Sequence, residues 1–490
     1  MTRPNLLLFT PDQLRADALG CFGNVVAQTP NIDAFSRRGT RFTSAWSQHS
    51  VCGPSRASMM TGWYPHTAGH RTLDHLLKPW EPNLLLYLKD SGYDVAMVGN
   101  RGDVFAPGVT EASTTFCGNL VKPSWGWRDI TITTDEDHPL YRGFWFGKQG
   151  DEPRIDIDEA AIQTAIQWLQ HRNNNKPWAL CVPLLAPHPP FMVEDPWFSM
   201  HDRKDMPAPI SPEDGEGKPE FMDEYRRRYG WEDLNHEYLA EIAATYYGMV
   251  SRVDDQFGRL LSAIDSVGDG ENTVTFFFSD HGEYLGDYQL VEKWPSGLDP
   301  SLVRNPFIVA GPNVGEGQVV LGEVEMIDLL PTCLELAETE PSHTHFGKSI
   351  TVLFADSTAP HRSAAYSEGG FNISDHHLFE KVDSGIYKHK SEIQHELPHL
   401  VGKAECVRTK NWSYIYRHDG EDELYSRIED PAETVNLLAS KHIENNELDE
   451  VVKQLRNEMF DWLVATSDVI PWGRDPRFPE IPHGWRKETN

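Results

Sequence analysis

The chain has 490 residues, and its 44 Lys and Arg against 74 Asp and Glu give a formal net charge of −30 at pH 7. This acidity argues against a nucleic-acid partner. Hydrophobic residues make up 39% and charged residues 24%, the composition of an ordinary globular protein rather than a disordered one. The apolar run at residues 5–9 is far shorter than the roughly 20 residues that cross a bilayer, so we expect no membrane anchor and no secretory signal.

The six cysteines are scattered through the chain without C-x-x-C pairs or regular spacing. This pattern suits neither a disulfide framework nor a zinc cluster, and it favours a reducing compartment. We therefore expect a cytoplasmic protein, or a secreted or periplasmic one if a leader peptide has been removed.

In chain order, short apolar runs alternate with longer amphipathic segments, which is typical of parallel strands joined by crossover helices. The pattern predicts buried strands at 6–9, 94–98, 178–185, 274–278 and 306–310. It predicts helices at 83–89, 158–169 and 237–265. Two stretches without clear periodicity, 118–155 and 190–235, are predicted to be substrate-binding insertions.

After about residue 360 the character of the sequence changes, with a His-rich stretch followed by two short runs of strand-forming residues. Residues 412–416 and 423–425 predict an antiparallel hairpin, and 447–465 predict a helix. We therefore predict a catalytic α/β domain over 1–360 and a smaller C-terminal subdomain over 361–490, which contains a short antiparallel sheet, a helix and a tail.

The most informative segment runs from Cys52 to Gly62, with the sequence CGPSRASMMTG. A cysteine followed at fixed offsets by Pro, Ser, Arg and then Thr-Gly has no simple packing explanation, whereas a lone cysteine is usually a buried structural residue. The segment resembles the C-x-P-S-R-x-x-x-x-T-G signature of the type I sulfatases, which belong to the alkaline-phosphatase-like superfamily. The resemblance implies a large mixed, mostly parallel sheet flanked by helices.

The resemblance also implies that Cys52 is converted after translation to formylglycine by a maturation enzyme. The hydrated aldehyde of formylglycine carries two hydroxyl groups, one of which attacks the sulfur of a sulfate ester. Cys52 would then act as the nucleophile and as a contact of the metal, instead of as a thiol.

Oxygen-rich side chains follow two of the predicted strands. Asp12 and Gln13 follow the first strand, and Asp280 and His281 follow the strand at 274–278. Ligands of open α/β sheets bind at the carboxyl ends of the strands, so we expect these four residues to converge on a metal ion. Two carboxylates, an amide oxygen and an imidazole suit Ca²⁺, with Mg²⁺ or Mn²⁺ as alternatives, and the family resemblance also implies calcium.

Three further residues match the positions of catalytic groups in the sulfatases. Arg56 lies inside the signature, and the resemblance implies that it orients the nucleophile. Lys293 would hold the sulfate and the leaving oxygen, and His188, in the segment APHPPF, would protonate the leaving group.

One departure from the family pattern concerns its second signature, G-Y-x-T-x-x-x-G-K-x-H. Here Asn100 and Gly102 stand where the family has Lys and His. We expect Asn100 to contact substrate and Arg101, one residue out of register, to supply the missing cation.

The sequence predicts a sulfatase that acts on an anionic sulfated small molecule or saccharide, with a sulfated carbohydrate favoured over an aryl sulfate. Trp125 and Trp127 of the first insertion could stack on a sugar or an aryl ring, or only anchor a long loop, and His70 is expected at the substrate site. A phosphonate monoester hydrolase or phosphodiesterase of the same superfamily is the alternative, followed by a non-catalytic homologue. A homo-oligomer is possible.

Overall fold

A computed structural model describes residues 3–99, 104–172, 175–439 and 446–469. The strands in chain order are β1 (Asn5–Pro11), β2 (Thr40–Trp46), β3 (Asp94–Val98), β4 (Phe116–Gly118), β5 (Trp145–Lys148), β6 (Trp178–Leu184), β7 (Phe191–Val193), β8 (Thr273–Phe278), β9 (Arg304–Ala310), β10 (Gln318–Val320), β11 (Val324–Glu325), β12 (Ala364–Gly369), β13 (Ala404–Thr409), β14 (Trp412–Arg417) and β15 (Glu423–Ser426). The α-helices are α1 (Pro30–Arg37), α2 (Cys52–Thr61), α3 (Pro65–Ala68), α4 (Leu84–Asp90), α5 (Val109–Ser113), α6 (Pro139–Arg142), α7 (Ile157–His171), α8 (Phe221–Tyr229), α9 (His236–Ser266), α10 (Pro300–Val303), α11 (Leu329–Leu336), α12 (Thr351–Ala355), α13 (Lys388–Glu396) and α14 (Asn446–Thr466).

The centre of the molecule is a nine-stranded sheet in the order β10-β2-β9-β8-β1-β6-β3-β4, with β11 also paired to β2. The neighbouring strands β8, β1, β6 and β3 are parallel, and β9 runs antiparallel to both β8 and β2. The predicted fold class, a mixed and mostly parallel sheet, is therefore confirmed. Because β9 is antiparallel to both of its neighbours, β2 points the same way as β8.

Helices cover both faces of this sheet, and strand β1 shows how the sequence specifies this arrangement. Leu7 and Phe9 belong to one hydrophobic cluster, and Leu6 and Leu8 belong to another. Successive side chains of a strand point to opposite faces, so a continuous apolar run is what a strand buried on both sides needs. None of the described helices combines the length and apolar character that spanning a membrane would require.

The predicted C-terminal hairpin is confirmed, and it is part of a separate four-stranded antiparallel sheet, β12-β13-β14-β15. This small sheet makes buried contacts with the catalytic part of the chain. Arg408 of β13 pairs with Glu433, donates to the Leu298 carbonyl and lies over the ring of Trp46 at 4.4 Å. The domain boundary near residue 360 stays a prediction.

The predicted strands and helices are observed, with ends displaced by one to two residues. Several other helices escaped the sequence analysis, and two of them lie in stretches that it described as irregular or His-rich. Helix α8 lies inside the stretch 190–235, and α13 lies in the His-rich stretch. Helix α8 buries Phe221, Met222, Tyr225 and Tyr229, which are spaced as one helical face. The charged residues between them hid that spacing.

We predict that Glu433→Ala lowers the free energy of unfolding by about 3–5 kcal/mol, because it leaves the Arg408 charge buried without its carboxylate. The two side chains are each 1% exposed, and Ser413 also donates to Glu433. Urea unfolding measures the loss. Glu429→Ala, at an exposed glutamate of the same segment, is the control and should stay within about 0.5 kcal/mol of the parent; equal effects of the two variants would contradict the account.

Candidate active site

The predicted site residues follow neighbouring strands of the large sheet. Asp12 and Gln13 follow β1, Asp280 and His281 follow β8, and His188 lies beyond the end of β6. Strand β2 points the same way and leads to Cys52 at the start of α2. Carboxyl ends of parallel strands meet at one edge of a sheet, and the topology therefore brings these segments together.

Two buried carboxylates, Asp12 and Asp280, lie at the centre of this edge, and each is 0% exposed. Arg56 connects them, with its Nε 2.7 Å from Asp280 Oδ2 and its Nη2 3.0 Å from Asp12 Oδ2. Two buried negative charges are costly unless cations compensate them. Arg56 supplies one such charge.

The signature sequence also explains how α2 is held against this site. Ser55 Oγ donates to the Asp280 carbonyl at 2.6 Å, and the adjacent Arg56 binds the Asp280 carboxylate. At the other end of the helix, Gly62 has a φ of +69°, which favours glycine. These contacts fix Cys52, 5% exposed, as the first residue of the helix.

His281 completes a group of possible metal ligands with Asp12 and Asp280. One ligand atom from each residue lies within 4.8 Å of the others. His281 Nε2 is buried and makes no hydrogen bond among the described residues. It lies 3.5 Å from Asp12 Oδ1. A cluster of two carboxylates and an available imidazole nitrogen fits a divalent cation with hard ligands.

Gln13 lies beside this cluster with a fixed amide orientation. Its Nε2 donates to Glu292 at 2.9 Å and to Glu283. Its Oε1 accepts from Lys293 Nζ at 2.5 Å, so the amide oxygen faces the site. The backbone φ of Gln13 is +64°, a strained conformation of the kind that concentrates at functional sites.

Lys293 is buried, and its charge is balanced by acidic neighbours. Burial opposes its charge, but Glu292, Cys52 and Asp12 outweigh that cost and raise the pKa of Lys293. Glu292 also contacts Lys390 Nζ of α13 at 3.2 Å. Burial and the nearby Glu292 charge raise the pKa of Glu283 to about 7.

His188 faces Lys293 with a defined tautomer. Its Nδ1 lies 2.6 Å from the Pro189 carbonyl, which can only accept, so Nδ1 carries the hydrogen. Its Nε2 lies 3.1 Å from Lys293 Nζ. Two potential proton donors therefore lie side by side at the edge of the site.

The loop that leads to His188 is held by Asp158 at the start of α7. The two carboxylate oxygens of Asp158 accept from the backbone N–H groups of Leu185 and Ala186 at 2.7 and 2.8 Å. Burial and the neighbouring Asp156 raise the pKa of Asp158 to about 6.

The contacts described above do not include three of the predicted site residues. Asn100 and Arg101 lie outside the described residues. The ring nitrogens of His70 contact the His75 carbonyl at 2.6 Å and Glu81 at 3.2 Å. These two contacts stay within residues 70–81, and the substrate role of His70 stays a prediction.

The sequence analysis missed Asp158, Glu283, Glu292 and Lys390. Glu283 and Glu292 are close in sequence to Asp280 and Lys293, which is a weak signal that could have found them. Lys390 lies about 100 residues further along the chain, and only the tertiary packing brings it to Glu292.

Comparison with known proteins defines the class. A Sulfatase family profile matches residues 4–339. The chain therefore belongs to the Sulfatase family, hydrolases that act on sulfuric esters, within the alkaline-phosphatase-like superfamily, and the resemblance seen in the sequence is confirmed.

Individual relatives differ in their chemistry. The multifunctional alkaline phosphatase superfamily protein PehA of Trinickia caryophylli is 30% identical, over 73% of this chain and 78% of its own length. The phosphonate monoester hydrolase of Agrobacterium radiobacter is 23% identical with a TM-score of 0.73, over 95% of this chain and 96% of that one. A structure solved with its substrate D-glucosamine-2-N,6-O-disulfate has 19% identity and a TM-score of 0.73, over 97% and 100% of the two chains.

We predict that Asp158→Asn removes a pH dependence of stability. The raised pKa, about 6 against about 3.9 for an unperturbed Asp, means that the folded protein keeps this proton to higher pH than the unfolded chain. The resulting stabilisation is fully present below about pH 4 and is lost as pH rises through about 6, by on the order of 3 kcal/mol.

The unfolding free energies of parent and variant between pH 4 and 7 measure this dependence, because groups that do not interact with Asp158 cancel in the difference. Asp90→Asn, at an exposed carboxyl, should give a flat difference. A flat difference for Asp158→Asn as well would contradict the prediction.

We also predict that Ca²⁺ raises the melting temperature of the protein after treatment with a chelator. Binding at 100 times Kd stabilises a folded protein by about 2.7 kcal/mol. His281→Gln should abolish most of this shift, whereas His201→Gln, at a buried histidine that pairs with Ser251, should keep it. An unchanged shift in His281→Gln would exclude this cluster as the calcium site.

Proposed function

We propose that the protein is a formylglycine-dependent sulfatase that hydrolyses sulfate monoesters, with the nucleophile made from Cys52. The observation that carries the proposal is that Arg56, in the helix that begins with Cys52, binds both Asp12 and Asp280. Ser55, in the first turn of the same helix, also donates to the Asp280 carbonyl. Such an arrangement gives a buried nucleophile next to a candidate metal cluster and to cationic donors, which transfer of a sulfuryl group needs.

The proposed metal ligands are Asp12, Gln13, Asp280 and His281, together with the modified Cys52. Ca²⁺ is the expected ion because the donors are mostly hard oxygens, and Mg²⁺ or Mn²⁺ are alternatives. Such an ion would supply a Lewis acid that lowers the pKa of the nucleophile and neutralises sulfate oxygens. The formylglycine would supply the attacking hydroxyl group.

The remaining steps belong to side chains of this chain. Lys293 Nζ, held by Glu292 and Gln13, presents a fixed positive charge to the sulfate oxygens and to the leaving oxygen. His188 Nε2, 3.1 Å from Lys293 Nζ, is placed to give a proton to that oxygen once the ring is protonated. Arg56 binds the carboxylates of Asp12 and Asp280 and so orients these two proposed metal ligands.

The favoured substrates are sulfated small molecules, among them sulfated saccharides, and maturation requires a formylglycine-generating enzyme. We further propose that Asn100 and Arg101 contact the sulfate in place of the family's Lys and His. Arg101→Ala should then lower kcat/KM by about tenfold or more, as measured by sulfate release. Unchanged turnover would exclude this compensation.

Phosphonate monoester hydrolysis is the second candidate. It is supported by the similarity to PehA and to the phosphonate monoester hydrolase, and by the residues at 100 and 102, which remove the usual sulfate-binding Lys and His. The same nucleophile and metal would serve an attack on phosphorus.

A comparison of kcat/KM for 4-nitrophenyl sulfate and 4-nitrophenyl phenylphosphonate distinguishes the two candidate functions. Both esters release the same leaving group, 4-nitrophenol. We expect faster sulfate ester turnover, and a loss on the order of 10³-fold or more in Cys52→Ala. A much faster phosphonate reaction would favour the second candidate. Turnover that survives in Cys52→Ala would contradict both.

His188→Ala should lower kcat on the order of 10²-fold, because general acid catalysis contributes about that much or more. The loss should grow as the leaving alcohol becomes more basic, since a basic alcohol needs the proton most. A series of aryl sulfates measures this slope, with the exposed His171→Ala as control. An equal loss for every leaving group would assign His188 another role.

A further inference from the structure

A cavity opens beside His188, and its other walls are mostly apolar. Trp125 and Trp127 come from the first insertion, Pro190 and Met192 follow His188, and Met249 comes from α9. We call this set the tryptophan pocket. Trp127 is 65% exposed and Trp125 is half-buried, so at least one large aromatic face is open to a ligand.

The aromatic residues of the first insertion fall into two groups, those that anchor the loop and those that line the pocket. Phe144 and Phe146 are 0% and 7% exposed and belong to the packed interior, and Trp145 Nε1 donates to Thr245 at 2.9 Å. These residues anchor the loop. Trp125 and Trp127 line the tryptophan pocket instead.

Most of the charged side chains that line the pocket form ion pairs or hydrogen bonds with neighbouring protein groups. Both oxygens of Asp158 hold backbone N–H groups. Asp156 accepts from Glu159 N at 3.0 Å and pairs with Arg252 at 2.8 Å. Arg252 also pairs with Glu194 at 3.0 Å.

Arg154, the remaining cation of the lining, lies flat on Trp125, with its guanidinium carbon 3.8 Å from the ring centroid. Its Nε and Nη1 are buried and make no hydrogen bond among the described residues, although the Nε lies 3.3 Å from the Glu194 carboxylate. This stacking fixes the orientation of the Trp125 ring.

We propose that the tryptophan pocket binds the leaving-group side of the substrate and selects a flat aryl group over a sugar. This inference rests on the proposed function, because it is His188 that marks the side on which the alcohol leaves. A sugar ring exposes hydroxyl groups that need hydrogen-bond partners. Here Asp156, Asp158 and Arg252 are paired with one another or with backbone groups. The Nε and Nη1 of Arg154, which make no hydrogen bond among the described residues, are buried away from a ligand. An aryl ring needs apolar faces, which the two tryptophans and the methionines provide.

The test uses 4-methylumbelliferyl sulfate and D-glucosamine 6-sulfate with the wild-type enzyme and Trp127→Ala. We expect the wild type to prefer the aryl ester. Trp127→Ala should lower kcat/KM for the aryl ester about fivefold, the effect of losing one stacked aromatic face, and should leave any turnover of the sugar sulfate within about twofold.

The control is Trp80→Ala, at a tryptophan 67% exposed outside the pocket, which should leave both rates unchanged. Inhibition by 4-methylumbelliferone gives a second readout, and it should weaken in Trp127→Ala and in Met192→Ala but not in Trp80→Ala. Because Trp127 is mostly exposed, its removal should not prevent folding.

The failures of the two proposals are distinguishable. If the wild type releases sulfate but Trp127→Ala behaves like Trp80→Ala, or slows both esters equally, the pocket assignment is wrong and the sulfatase proposal stands. A wild type that prefers the sugar sulfate also overturns the assignment. If the matured wild type releases sulfate from neither ester, the proposed function fails, and the pocket assignment fails with it.

Discussion

The structure depends on the placement of two carboxylates, Asp12 and Asp280, next to each other in a region from which water is excluded. Parallel neighbouring strands bring them together, and Arg56 compensates part of their charge through two short contacts. Burial of like charges is expensive, and here it leaves an acidic cluster that a divalent cation would relieve. The signature around Cys52 therefore also contributes the arginine that lowers the free-energy cost of burying this cluster.

A second layer of charge compensation connects the site to the C-terminal part of the chain. Lys293 is balanced by Glu292, and Glu292 contacts Lys390 Nζ at 3.2 Å. Glu283 and Glu292 together fix the amide of Gln13. The orientation of a proposed metal ligand thus depends on residues from two segments far from it in sequence, as is usual for the outer contacts of metal sites.

Much of this arrangement could be predicted from sequence, because its signals are local. Apolar runs identify β1 and β8, and an Asp within two residues of the end of each strand places both carboxylates at one edge. The signature identifies Cys52 and Arg56. The roles of Asp158 and Lys390 could not be predicted, because each depends on packing between segments far apart in the chain. Helix ends were less well predicted than helix positions, since side chains such as Asn83, which caps α4, set them.

The net negative charge of the whole protein is compatible with an anionic substrate, because distant and local charges act over different distances. Salt screens the surface charges beyond about 8–10 Å. Close to the site, an anionic ester would meet the positive charge of Lys293 and Arg56.

The measurement that tests the central claim most directly is the mass of the peptide spanning Cys52, taken from protein made in its native host and active in sulfate release. The account predicts the mass of an aldehyde, or of its hydrate, in place of the cysteine thiol. An unmodified thiol in fully active protein would contradict it, because the nucleophile would then have to be another group.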